Sequence, residues 1–267
     1  MKRLLITGVA GVIGRVMRKR LSGLADAIRL ADIVTLTPEH DREECIQCDL
    51  ADAAAVNAMV ADCDGILHLG GISVERPFHE ILHANIIGVY NLYEAARAHG
   101  HPRILFASSN HTVGFYPQTQ RLGADEPLRP DGLYGVSKGY GELLARMYFD
   151  KFGQETASVR IGSCTKEPVD YRMLSSWLSY EDFATLTERV FTVPVLGCPV
   201  IWGVSSNPAS WWDNSNAAWL GWQPRDSAEN WREMIEAEGI PSANDPLVTR
   251  QGGRFTELPI ITNKPPV

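Results

Sequence analysis

The chain has 267 residues, 45% of them hydrophobic and 21% charged, with a formal net charge of −7. A chain of this length buries roughly three quarters of the surface its unfolded form exposes. Its five cysteines are therefore not needed as disulfides, and their odd number points to reduced thiols and a cytoplasmic protein. The acidic balance leaves no basic footprint for a nucleic-acid partner, and no apolar stretch is long enough to span a membrane.

In chain order, Met1-Lys2-Arg3 before Leu4-Leu5-Ile6 lacks the cleavage site of a secretory leader, and Arg15, Arg18, Lys19 and Arg20 soon follow. Short, mainly apolar runs then recur at 4–7, 27–31 (ending at Asp32), 45–48 (ending at Asp49), 66–69, 104–107 and 157–161. Runs of this kind suit strands buried on both faces. Between them, Val12, Ile13, Val16, Met17, Leu21 and Leu24 recur at helical spacing, and Arg18-Lys19-Arg20 reads as the solvated face and C-terminal end of that helix. The Ala-rich 53–60 segment follows Asp52, an N-cap residue. The 81–98 segment sets Ile86, Val89, Tyr90, Tyr93, Ala95 and Ala96 on a helical face.

This strand–helix alternation predicts an α/β fold, a Rossmann-type doubly wound parallel sheet. All seven tryptophans lie from Trp177 onward, where Pro, Asn and Ser also rise. The expected organisation is a dinucleotide-binding domain over 1–160, with 161–267 as a smaller, irregular substrate-binding part packed on it. Residues 263–267 read as a loose end or an arm reaching a neighbouring subunit. Cys45-Ile46-Gln47-Cys48 has C-x-x-C form, but no second ligand pair accompanies it and it sits in a strand. No metal site is expected.

Gly8-Val9-Ala10-Gly11-Val12-Ile13-Gly14 falls between the first strand and the first helix. In such a loop, glycines permit a tight turn, close backbone approach to a pyrophosphate, and close helix–strand packing, while the helix start attracts the anion. Asp32 ends the second strand, at about the spacing where a carboxylate accepts hydrogen bonds from a ribose and repels a 2′-phosphate, which favours NAD over NADP. Further cofactor contacts are expected from Asp49 and Leu50, from Leu69, Gly70 and Gly71, and from the strand ends at Ser108 and Ile161.

Tyr134-Gly135-Val136-Ser137-Lys138 has the form Y-x-x-x-K, which places phenol and ammonium on one helix face. The ammonium is expected to lower the phenol's pKa toward that of a useful base. Ser109, at the end of the fifth strand, offers a hydroxyl to the reacting oxygen.

In this order, the glycine loop, the strand-end Asp, Asn85, the serine strand and Y-x-x-x-K resemble the extended short-chain dehydrogenases over about residues 1–165. That resemblance implies a Ser109–Tyr134–Lys138 triad with an NAD cofactor. Asn85 stays outside the catalytic set as a buried polar group. Two alternatives share the fold: a nucleotide-sugar epimerase or dehydratase, which carries a larger C-terminal region, and a non-catalytic NAD-sensing protein, which often lacks the Tyr or the Lys.

A closer resemblance is to the uronate dehydrogenases. It rests on Phe106-Ala107-Ser108-Ser109-Asn110-His111-Thr112, Gly70-Gly71-Ile72-Ser73, Arg160-Ile161-Gly162-Ser163-Cys164 and Tyr171-Arg172-Met173-Leu174. It implies NAD-dependent oxidation of C1 of D-galacturonate or D-glucuronate to the aldaro-lactone, with Tyr134 as general base. Ser73, Ser109, Asn110, His111 and Ser163 would hold sugar hydroxyls, Arg172 would grip the carboxylate, and Lys138 would also contact the nicotinamide ribose. By analogy, a homo-oligomer is expected.

Overall fold

The computed structural model describes residues 1–262; the end or arm expected at 263–267 lies outside the described residues. The first part of the chain runs β1 (Arg3–Thr7), α1 (Val12–Arg20), β2 (Ala27–Asp32), β3 (Glu43–Gln47), α2 (Ala53–Val60), β4 (Gly65–His68), α3 (Phe78–Ile81), a π-helical stretch (Leu82–Ile87), α4 (Gly88–Ala98), β5 (Arg103–Ser109), α5 (Leu133–Phe152) and β6 (Thr156–Ile161). The remainder runs β7 (Ser163–Cys164), α6 (Met173–Ser176), β8 (Trp177–Leu178), α7 (Tyr180–Thr192), β9 (Val200–Gly203), α8 (Arg232–Ala237) and α9 (Pro246–Thr249), followed by a 3₁₀ turn, Gly253–Glu257.

Seven strands form one sheet in the order β3-β2-β1-β4-β5-β6-β9, every neighbouring pair parallel. Winding reverses between β1 and β4, and a crevice opens beyond the carboxyl ends of the strands at such a switch. Helices cover both faces. On one side Met17 and Leu21 pack with Phe183, Leu186 and Val190 of α7. On the other, Val56 and Met59 of α2, Leu92 and Tyr93 of α4, and Leu144 and Tyr148 of α5 enclose Phe106. Gly141 lets α5 approach β5, since any Cβ there would strike the Phe106 ring.

Local chemistry sets the helix ends. Asp52 caps α2 by accepting from the amides of Ala54 and Ala55, as its sequence position predicts. Gly153 ends α5 in the left-handed region (φ 73°), returning its N–H to the Phe149 carbonyl.

Several expectations need correction. Arg18 is at a helix end, but its side chain is not solvated. It is 8% exposed, with Nε on Glu43 Oε1 at 2.8 Å and Nη2 on the Thr37 carbonyl at 2.7 Å. A buried charge needs such partners. Tyr90 is half exposed, and Val12, expected on the inner face of its helix, lies 68% exposed at the crevice. Neither the π-helical stretch nor the last sheet strand was predicted. The strand, β9, comes from the tryptophan-rich part, where Trp202 stacks on Trp212 with centroids 4.8 Å apart. Residues beyond 161 therefore contribute β9 to the same sheet and α7 to the helical layer packed on it.

No helix among the described residues is long and apolar enough to cross a membrane. Cys45 lies in β3, Cys48 just beyond it, and all five cysteines are unpaired.

Candidate active site

A cavity of about 740 Å³ occupies the crevice. At one end lies the glycine loop. Gly8 has φ +72°, and a Cβ there would lie 2.7 Å from the Gly70 nitrogen and the Leu69 carbonyl carbon, so only glycine lets the two loops touch. Thr7 secures the contact: its Oγ1 accepts from the Gly70 amide at 3.0 Å and pairs with His68 Nδ1 at 2.8 Å. Helix α1 begins at Gly11 with no side-chain cap and no acid in its first turn, which leaves its positive end open to an anion. Asp32 Oδ2 accepts from the Ala10 amide at 2.8 Å, holding the carboxylate beside the loop. The cradle thus fits a dinucleotide.

Every position predicted at the cofactor lines this cavity: Gly8, Gly11, Val12, Ile13, Gly14, Asp32, Asp49, Leu50, Leu69, Gly70, Gly71, Ser108, Tyr134, Lys138 and Ile161. Ser108 does so without a free hydroxyl. Its Oγ donates to Glu142 Oε1, and Glu142 also holds Arg160 through Nε at 2.9 Å and Nη2 at 2.8 Å.

At the other end, α5 presents Tyr134 and Lys138 on one face, with Ser109 at the end of β5. All three are buried and line the cavity with Ser73 and His111. Lys138 Nζ lies 5.2 Å from the Phe106 ring centroid and 5.7 Å from that of Tyr134. Burial pushes the Tyr134 phenol up to about 12, opposed by its hydrogen bond with Ser109 and reinforced by the Asp131 charge. Burial draws the Lys138 ammonium down to about 8. The phenol's pKa is therefore raised rather than lowered as the sequence predicts, because burial outweighs the pull of the ammonium. Desolvation dominates and disfavours both charged forms.

Asn110, Ser163 and Arg172 do not line the cavity; they form a hydrogen-bonded cluster next to it. Arg172, 8% exposed, donates from Nε to the Gln251 carbonyl at 2.7 Å and from Nη1 to Ser163 Oγ and Ser176 Oγ at 3.3 Å. With the Asn110 amide oriented to satisfy its neighbours, its oxygen accepts from Arg172 Nη2 at 2.6 Å and its nitrogen donates to the Ile161 carbonyl at 3.1 Å. Among the described residues no carboxylate lies within ion-pair distance of this guanidinium. Burial draws its pKa down to about 10, against the more distant charges of Asp170 and Asp131.

His111 is fixed by residues that sequence reasoning missed. Its Nδ1 pairs with Asp131 Oδ2 at 2.7 Å, and its ring stacks on Phe255 at 4.0 Å and meets Tyr134 edge-on at 5.8 Å. Burial lowers its pKa more than Asp131 raises it. Gln251, fully buried, was also missed. Its side chain accepts from Trp212 Nε1 at 2.8 Å and donates to the carbonyls of Pro117 and Gln120. Asp131, an acid just ahead of the Y-x-x-x-K helix, gave a local signal; Gln251 and Phe255 gave none. Asn85 joins the backbone of Ile72 to Ser137, in keeping with a buried structural role.

A sequence profile described as the NAD dependent epimerase/dehydratase family matches residues 4–165. The chain is 68% identical over 261 residues to the uronate dehydrogenase of Agrobacterium fabrum (strain C58), covering 97% of this chain and 98% of that protein. It is 52% identical over 254 residues to that of Pseudomonas putida (strain KT2440), covering 95% of each. A solved structure of an Agrobacterium tumefaciens uronate dehydrogenase variant complexed with NAD superposes with a TM-score of 0.97 at 66% identity, covering 98% of this chain and 100% of that one. Sheet order, cradle and relatives agree: the chain belongs to the NAD dependent epimerase/dehydratase family and, within it, to the uronate dehydrogenases.

Proposed function

We propose that this protein is an NAD-dependent dehydrogenase that oxidises C1 of a hexuronate, D-galacturonate or D-glucuronate, to the aldaro-lactone. The observation that carries the reading is Arg172: a buried guanidinium, beside the Ser109–Tyr134–Lys138 group, whose hydrogen-bond partners are all neutral and which has no carboxylate counter-ion among the described residues. A buried cation held only by neutral acceptors is suited to an anionic ligand, and a uronate brings one carboxylate.

NAD, when bound, supplies the acceptor for the hydride leaving C1. The glycine loop, Gly8, Gly11 and Gly14 with Val12 and Ile13, would hold its pyrophosphate, and the Asp32 carboxylate would accept from the adenosine ribose. Asp49, Leu50, Leu69, Gly70, Gly71, Ser108 and Ile161 line its path, the serine through its backbone. Arg172 takes the substrate carboxylate, Asn110 and Ser163 hold Arg172 and the sugar's hydroxyls, and Ser73 and His111 contact further hydroxyls. Tyr134 takes the proton of the C1 hydroxyl as that oxygen becomes the lactone carbonyl, and Ser109 donates to the same oxygen. Lys138 stabilises the phenolate electrostatically and contacts the nicotinamide ribose. In this scheme residues 1–160 hold cofactor, and residues 161–267 complete the substrate side of a cytoplasmic homo-oligomer.

The test is absorbance at the NADH band with NAD⁺ and D-galacturonate or D-glucuronate, using galactose, glucose and NADP⁺ as controls. NADH from the acids alone supports the reading; no NADH from either acid removes it.

A further inference from the structure

We infer that Glu75 is a positioning residue for the oxidation proposed above, bolting the loop that carries Ser73 onto the first residues of the helix that carries Tyr134. The inference rests on that functional reading for its kinetic consequence and on geometry for the bolt itself.

Helix α5 begins at Gly132, which is extended (φ −174°, ψ 179°) and offers no side chain to the amides behind it. The first amides of any helix need acceptors from elsewhere, and Ser, Thr, Asp or Asn at the cap position normally provides one. Here Glu75 does so across the fold: Oε1 accepts from the Leu133 amide at 3.1 Å and Oε2 from the Tyr134 amide at 3.0 Å. Glu75 is 7% exposed. A side chain at position 132 would collide with it, because the three atoms nearest to a Cβ there all belong to the Glu75 carboxyl group. A cap from position 132 and a cap from Glu75 therefore exclude each other, and the glycine leaves room for the distant one.

A second bolt lies on the other side of Ser73. Asn85 accepts from the Ile72 amide at 2.8 Å and donates to the Ile72 carbonyl and to Ser137 Oγ, both at 2.9 Å. Ser137 Oγ in turn donates to the Tyr134 carbonyl at 2.7 Å. Ser73 thus sits between two attachments to the start of α5 and lines the cavity that Tyr134 lines, whereas Glu75 itself does not. Mere capping of α5 would need only a serine at 132. The cap taken from Glu75 also fixes the distance from Ser73 to the phenol, and catalysis is sensitive to errors of about 1 Å in such distances.

Separating the two roles takes Glu75→Ala and the double variant Glu75→Ala/Gly132→Ser, in which the new hydroxyl caps α5 but nothing ties the loop. Each is followed by thermal unfolding, NAD⁺ binding, uronate kinetics and amide hydrogen exchange of residues 73–77 and 133–136. The expected result is that Glu75→Ala loses at least tenfold in kcat/KM for uronate, with a raised KM and NAD⁺ affinity within twofold of wild type. The double variant should recover thermal stability and protection at 133–136. It should keep fast exchange at 73–77 and remain at least fivefold impaired. Recovery of kcat/KM to within twofold in the double variant, or unchanged exchange at 73–77 in both, overturns the inference. If Glu75→Ala does not fold, Glu75→Ser, which is too short to reach the Leu133 and Tyr134 amides and clears position 132, replaces it under the same criteria. A wild-type protein inactive on uronates defeats the functional reading, while the exchange comparison still decides whether the bolt exists.

Discussion

Arg172 donates from Nε to the backbone carbonyl of Gln251, 2.7 Å away, so one edge of the guanidinium is engaged by the protein and its Nη groups point into the Asn110–Ser163–Ser176 cluster.

Replacing Arg172 by Met should lower kcat/KM for uronate by roughly 10²–10³-fold, the equivalent of about 3–4 kcal/mol for a pair of charge-assisted hydrogen bonds. NAD⁺ affinity should stay within twofold, and Arg172→Lys should fall between, because an ammonium cannot reproduce the planar fork. Steady-state kinetics with isothermal titration of NAD⁺ checks both. A parallel loss of NAD⁺ binding would mean that Arg172 supports the fold rather than the substrate.

The pH profile follows from Tyr134, pushed up to about 12, and Lys138, drawn down to about 8. The competent form needs phenolate and ammonium together. With the phenol's pKa above the ammonium's, that form rises with pH up to about 8, because only the phenol is losing its proton there. It is then level up to about 12, because each proton the phenol loses is matched by one the lysine loses. Log kcat/KM should therefore climb with slope near one below pH 8 and flatten above it. Tyr134→Phe should abolish turnover at every pH while still binding NAD⁺. Lys138→Arg, whose charge does not titrate in this range, should extend the climb beyond pH 8.

Asp32 stands beside the glycine loop through its bond to Ala10. Asp32→Ala removes the acceptor for ribose hydroxyls and the repulsion of a 2′-phosphate. The ratio of kcat/KM for NAD⁺ over NADP⁺ should fall at least tenfold, mostly through weaker NAD⁺ binding. A ratio left unchanged would take Asp32 out of cofactor recognition.

The buried Arg160–Glu142 pair is a matter of stability. Glu142→Ala strands a guanidinium that is 2% exposed and takes the partner from Ser108. Breaking such a pair costs about 3–5 kcal/mol, which urea unfolding would register as a lower midpoint. Glu142→Leu/Arg160→Met should be milder than the single variant, since it leaves no unpaired charge.

How much of this was legible in the sequence depended on range. The glycine loop, Asp32 and Tyr134–Lys138 are local signals, and each lies in the cavity where spacing put it. Asp52 was readable for the same reason. Strand β9 was not: its four residues sit among prolines and tryptophans, and only pairing with β6 makes them a strand. Arg18 was misread because its partner Glu43 is distant in sequence, and periodicity carries no information about such pairs. The same limit hid Gln251, Phe255 and the acceptor role of Glu75.

The bond from Arg172 to Gln251 also imposes an order on biosynthesis. A polypeptide leaves the ribosome N-terminus first, and the sheet is complete once Gly203 has emerged. The dinucleotide cradle is then already encoded in full. The carbonyl that holds the guanidinium does not yet exist, nor does the Phe255 ring that covers His111. A nascent chain of that length therefore carries every residue that lines the cavity, but not the two groups that fix Arg172 and His111 in place.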